Sequence, residues 1–249
     1  MLSIEQLSVE MNGRQLIHNV TFPVPKGHIT SIIGESGSGK SMTVSAILGL
    51  LPVHAQVWGD ILFNDKNLVE MSPKERVELR KKHFFTVFQD AANSFSPSTK
   101  MKHQLFIFTG HKQGHSKMEF YQRMRVILQD LDLTDDIMER YPFELSGGML
   151  QRCMLACALY TEPTLLIADE PTSALDMLIQ KDFIDLLKKL NDEKGTTILL
   201  ITHDLDIAAS VAHAVVVMKK GEVVETGQVS DVFDKPQHPY TKLLLENHF

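Results

Sequence analysis

Gly34-Glu35-Ser36-Gly37-Ser38-Gly39-Lys40-Ser41 constrains this chain more than any other stretch. It fits G-x-x-x-x-G-K-[ST] at every position. It follows the apolar run His28 to Ile33 and precedes Val44, Ile47, Leu48 and Leu51, which have helical spacing. Strand, glycine-rich turn and helix in that order aim backbone N–H groups into one concavity at the positive end of a helix. Such a cradle suits phosphate. Lys40 is placed to reach the β- and γ-phosphates of a nucleotide, and the Ser41 hydroxyl to ligate Mg²⁺. The helix is expected to run as far as Pro52.

A phosphate cradle needs a partner carboxylate for its metal. Leu165-Leu166-Ile167-Ala168 is a short apolar strand that ends in Asp169 and Glu170. In open α/β sheets, ligands gather at the carboxyl ends of strands. Asp169 is the candidate Mg²⁺ ligand, and Glu170 the candidate general base for an attacking water. Without the phosphate loop, two solvated acids at a strand end would be the ordinary reading.

The rest of the chain supports an alternating architecture. Leu7, Val9, Val57, Ile61 and Phe63 mark β-rich stretches, and Phe84 to Phe88 is a short strand-like run. From about residue 90 to 160 strand signals fade, and Phe120, Met124, Ile127, Leu128 and Leu131 recur at helical spacing. Strand and helix then alternate: Leu165 to Ala168, the helix face Ile179, Phe183, Leu187 and Leu190 ended by Gly195, the strand Thr197 to Ile201, and a hairpin around Gly221. Alternation of this kind implies parallel βαβ units. The 249 residues carry 25 basic and 31 acidic side chains, a formal charge of −6. That balance disfavours nucleic acid as a partner. No apolar run is long enough to span a bilayer, and no secretory signal is visible. Two cysteines, Cys153 and Cys157, exclude a disulfide framework and suit a cytoplasmic setting.

Leu145-Ser146-Gly147-Gly148-Met149 is a second glycine site, before the apolar run Leu150 to Leu159. Ser146 is a good N-cap, and the glycines bare first-turn N–H groups. Alone it reads as an ordinary capped helix. In sequence order the phosphate loop, this segment, Asp169-Glu170, Ser173-Ala174-Leu175-Asp176 and Thr202-His203-Asp204 resemble the nucleotide-binding subunit of an ATP-binding cassette (ABC) transporter, over nearly the whole chain.

The resemblance implies one α/β domain over residues 1–249. Its parts are a P-loop NTPase (RecA-like) core with an N-terminal antiparallel β-subdomain (1–89 and 161–249) and an inserted α-helical subdomain (90–160). It implies ATP and Mg²⁺ as cofactors, hydrolysis coupled to transport, and head-to-tail dimers with two ATP molecules in the seam. Ser146, Gly147 and Gly148 would contact the γ-phosphate held by the opposite subunit. Gln89 matches the glutamine that senses Mg²⁺ and water, His203 the switch histidine at the γ-phosphate, and Asp176 an aspartate lining the seam. Met11 falls where an aromatic usually stacks on adenine, and thioether contact with a ring implies modest selectivity for ATP over GTP.

Tyr141 to Arg152 is similar to the signature region of peptide and nickel importers, with Met149 closest to the nickel type, although Gln is usual after the glycine pair. His238-Pro239-Tyr240-Thr241 also resembles that group. Its ordinary alternative is a polar turn before a short helix, Tyr240 to Leu245. The implied partners are membrane-spanning permease subunits docked on the helical subdomain, a second ATPase subunit (sister chain or self), and, indirectly, an extracytoplasmic binding protein. The implied location is the cytoplasmic face of the membrane. Ala91 to Met101, with Phe95, Pro97 and Met101, is expected to form part of the docking surface. The cysteine-rich C-terminal extension of some peptide importers has no counterpart, so no iron–sulfur cluster is expected. His103, His111 and His115 lack regular ligand spacing and read as an exposed loop. Two alternatives stay open: a non-transport ABC ATPase, and a poorly hydrolysing subunit of a mixed ATPase pair.

Overall fold

A computed structural model describes residues 1–89, 92–172 and 177–246. In chain order, β1 (Leu2–Met11) and β2 (Arg14–Val24) form a hairpin, and β3 (Ile29–Ile33) runs into α1 (Lys40–Leu48). Next come β4 (Gln56–Phe63), β5 (Lys66–Asn67), α2 (Pro73–His83) and β6 (Phe84–Val87). Helices α3 (Met101–Phe108), α4 (Lys117–Asp130) and α5 (Gly147–Thr161) follow. The chain then alternates through β7 (Leu165–Asp169), α6 (Met177–Lys194), β8 (Thr197–Ile201) and α7 (Leu205–Val211). It closes with the hairpin β9 (Ala214–Lys219) and β10 (Glu222–Gln228), then α8 (Val229–Asp234) and α9 (Pro239–Glu246).

The strands form two sheets, ordered β2-β1-β4-β5 and β10-β9-β3-β8-β7-β6. The first is antiparallel. In β1 a register shift between Ile4 and Leu7, with Gln6 at φ 52°, keeps both apolar side chains on the buried face despite their odd spacing. The second sheet is parallel except for its edge strand β10. Its inner strands β3 and β8 are buried at every residue, as expected of strands covered on both faces.

Alternation along β7 and β8 sorts the side chains between two cores. Leu166, Ala168, Ile198 and Leu200 face the helical side with α4 and α5 residues such as Met124 and Cys153. Leu165, Ile167, Leu199 and Ile201 face the antiparallel sheet and α1. The helical stretch therefore shares a continuous core with the sheet. Among the described residues no strand occurs between β6 and β7.

Two expectations are corrected, and one helix goes unread in the sequence. Helix α1 stops at Leu48, not at Pro52: the Gly49 N–H returns to Ala46 O, and Leu50 N–H to Ser45 O. Helix α2 has no counterpart in the sequence reading, because its charged residues make no apolar stripe. Its start is fixed by a capping box between Ser72 and Glu75, with Pro73 in the first turn. Phe95 and Met101 are 4% and 0% exposed, so they form no docking surface. Buried Gln104 folds their loop onto α3: its Oε1 accepts from Ser96 N (2.7 Å), and its Nε2 donates to Ser96 O and Thr99 O (3.0 and 2.6 Å). The exposed apolar side chains nearby are Phe88, Ile107 and Phe143. Ala91 lies outside the described residues.

Candidate nucleotide site

The phosphate loop joins the end of β3 to α1, and its backbone conformation is set by close packing. A Cβ on Gly34 (φ 148°) would lie 2.2 Å from Met218 O. Gly39 caps α1 at φ 108°, and a Cβ there would meet the Ile17 side chain of β2 at 2.7 Å. Only glycine satisfies both the dihedral and the approach. Ser38 O accepts from Gly221 N (2.8 Å), so the β9–β10 turn braces the loop from outside.

Lys40 is 6% exposed and donates from Nζ to Gly34 O (2.6 Å) and Glu35 O (3.0 Å). Burial pulls its pKa below the ordinary lysine value, opposed by the charges of Glu170 and Asp169. Ser41 Oγ donates to Asp169 Oδ1 at 3.4 Å. Burial raises the Asp169 carboxyl pKa, opposed by the Ser41 hydrogen bond; nearby Glu170 raises it further and Lys40 lowers it. A hydroxyl and a carboxylate converging in a partly buried site form an oxygen donor set suited to a hard divalent cation. Ser41 and Asp169 thus fit Mg²⁺.

Glu170 takes a left-handed backbone (φ 49°) just past β7, with its N–H bonded to Ile201 O at 2.8 Å. Its Oε2 lies 2.5 Å from His203 Nδ1. His203 sits in the turn between β8 and α7. Thr202 Oγ1 accepts from Asp204 N (3.0 Å), Asp204 Oδ1 accepts from Ile207 N (3.0 Å), and Gln180 of α6 donates to Asp204 Oδ2 (2.9 Å). The turn is thus held on both sides.

Ser36, Gly37, Gly39, Lys40, Ser41, Gln89, Glu170 and His203 line one cleft of about 620 Å³, together with Met42 and Leu16. Met11 does not line it. It ends β1, paired with Arg14 across the hairpin, while Leu16 of β2 reaches the cleft. Leu16 carried no motif, and the one available signal was its place three residues beyond the Asn12-Gly13 turn.

Ser146, Gly147 and Gly148 do not line the cleft either. Ser146 caps α5, its Oγ accepting from Met149 N (3.3 Å), and Ser146 and Gly147 face solvent. Met149 is half-buried against the helical core, so its unusual side chain is used in packing. Asp176 lies outside the described residues. Sequence reading also missed what ties α5 to the end of β7: buried Gln151 of α5 donates to Pro171 O (2.7 Å), next to Glu170. Cys153 and Cys157 are fully buried, and burial pushes the Cys153 thiol up to about 12.

Fold and cleft define a P-loop nucleotide-binding protein. Residues 17–173 match the ABC transporter family. The chain is 42% identical over 235 residues to the oligopeptide transport ATP-binding protein OppD of Bacillus subtilis, covering 93% of this chain and 66% of that one. It therefore spans about two thirds of that relative's length. It is 36% identical to the metal-staphylopine import system ATP-binding protein CntD of Staphylococcus aureus, covering 98% and 92% of the two chains. Among solved structures it resembles the ABC cassette MJ0796 in a dimeric post-hydrolysis state bound to ADP and Pi, with TM-score 0.81, 28% identity, and 92% and 99% of the two chains covered. The chain belongs to the ABC transporter family and is an ATPase subunit that uses ATP and Mg²⁺.

Proposed function

We propose that this chain energises an importer of peptides or metal chelates, from the cytoplasmic face of the membrane, as half of a head-to-tail pair of ATPase subunits. One observation carries the reading: the phosphate loop, Gln89, Glu170 and His203 share one cleft, while Ser146 and Gly147 stand exposed outside it. A helix start exposed at Ser146 and Gly147 suits a phosphate presented by an opposing subunit. The relatives' roles in oligopeptide transport and metal-staphylopine import support the cargo class.

In this reading Lys40 and the loop N–H groups hold the β- and γ-phosphates, and Ser41 and Asp169 hold Mg²⁺. The cation, once bound, neutralises phosphate charge. Glu170 accepts the proton of the attacking water. His203, held beside it, orients the water and the γ-phosphate. Met11 and Leu16 stand on the hairpin side, where the base would extend. Ser146 and Gly147 of the opposing subunit complete the γ-phosphate shell, so the pair closes on ATP and opens once phosphate leaves.

For the permease, the candidate is a groove of about 540 Å³ whose exposed aromatic is Phe88, with Phe108, Asn93, Arg80, Lys81 and Lys112 also on its lining. It lies between β6 and the helical stretch, with Phe88 next to Gln89. An extracytoplasmic binding protein would deliver cargo to that permease. No helix among the described residues is long and apolar enough to cross a membrane. The test is to purify the membrane complex carrying this chain and measure cargo uptake with Glu170→Gln. Uptake should stop while ATP still binds. Uptake at the normal rate, or failure of the chain to assemble with any membrane subunit, would contradict the reading.

A further inference from the structure

The motif His238-Pro239-Tyr240-Thr241 is spent on an unexpected contact. The Tyr240 hydroxyl accepts a hydrogen bond from Glu35 N, inside the phosphate loop, at 3.2 Å across 205 positions of sequence. Each neighbour serves that placement. Glu225 of β10 accepts from Gln237 N and His238 N (2.8 and 3.0 Å), pinning the turn. His238 Nδ1 accepts from Tyr240 N (3.1 Å) at the start of α9. Tyr240 and Thr241 are buried, and the Lys219 ammonium lies 4.3 Å from the centre of the Tyr240 ring.

The bonded group is significant. Glu35 N–H and Gly34 C=O belong to one peptide unit, and that carbonyl accepts from Lys40 Nζ at 2.6 Å. Tyr240 and Lys40 therefore grip the same peptide from opposite ends. Hydrogen bonds in series polarise one another, so each strengthens the other. Burial pushes the Tyr240 phenol above its ordinary range.

We propose that Tyr240 is a positioning residue for ATP: the C-terminal strap holds the Gly34–Glu35 peptide, and through it the phosphate loop and Lys40, in the nucleotide-receiving geometry. The proposal rests on residues 34–41 being the phosphate cradle. Wild-type ATP binding in the same titrations tests that assignment separately.

The experiment is calorimetry of Mg-ATP and Mg-ADP on the purified full chain, comparing wild type with Tyr240→Phe, which keeps the ring and removes only the hydroxyl. Tyr240→Phe should raise Kd for both nucleotides about 3- to 10-fold, the range for losing one neutral hydrogen bond. The nucleotide-free melting temperature should be unchanged, and the ³¹P signal of the bound ADP β-phosphate should shift. Glu225→Gln, which loosens the turn, should give a smaller effect in the same direction. An unchanged Kd in Tyr240→Phe would overturn the proposal. So would a rise in Kd that tracks loss of folded protein, since the role would then be structural.

Discussion

The two glycine-bearing helix starts of this protein are alike in composition and opposite in construction. At Gly39–Lys40 the loop is braced from every side: Met218 and Ile17 leave no room for a Cβ, Gly221 and Tyr240 hold backbone groups, and Lys40 is buried on two carbonyls. At Ser146–Gly147 the serine cap holds the first turn, Ser146 and Gly147 are exposed, and a Cβ on Gly147 would meet nothing within 4 Å. The braced start can bind a nucleotide within one subunit. In the proposed pairing the open start would meet the opposing subunit's phosphate. Packing forces glycine at the first start and does not at Gly147.

The largest expected effect lies on the braced side. Glu170→Gln should lower ATP turnover about 10²- to 10⁴-fold, the range for removing a general base, and leave ATP affinity nearly unchanged. Phosphate release and calorimetry on one preparation would separate the two. Next comes the open side. Gly147→Val should cut turnover about 10²-fold or more, the scale of a lost preorganised donor, because the added side chain would hold the opposing γ-phosphate away from the helix-start N–H groups, with ATP affinity and melting temperature of the isolated chain near wild type. If single-chain ATP affinity fell instead, the two starts would serve the same protomer and the contrast would fail.

Phe88→Glu should reduce cargo uptake by about tenfold or more, the scale of a lost aromatic anchor at an interface, with ATP affinity unchanged. The readout is uptake and ATP binding in the assembled complex. The smallest effect concerns Asp169. Burial raises its folded-state pKa, so between the ordinary value of 3.8 and that raised value the folded state binds more protons than the unfolded one. Stability from this group is therefore gained as pH falls into that window and lost as pH rises through it. The difference in denaturant stability between nucleotide-free wild type and Asp169→Asn should follow this slope, because the carboxyls held low elsewhere, such as Glu119 and Glu139, are common to both.

Legibility in the sequence followed the range of the interactions. The phosphate loop, β7 with Asp169-Glu170, β8, the β9–β10 hairpin and α6 are specified by near neighbours, and the sequence reading placed them. Ser146 was identified as a cap because capping acts over three residues. Helix α2 was missed because a capping box, not an apolar stripe, marks it. Phe95 and Met101 were misplaced because their burial depends on Gln104 reaching back to Ser96. Leu16 reaches the cleft through sheet packing, and Tyr240 and Gln151 act across long separations, for which local spacing carries no signal.

The decisive measurement is the solution mass of Glu170→Gln, with any ATPase subunit that co-purifies, with and without Mg-ATP, by light scattering. Mg-ATP should produce a two-cassette assembly, and adding Gly147→Val should abolish it. A one-cassette mass at full ATP occupancy would show that the open helix start has no opposing phosphate, contradicting the account.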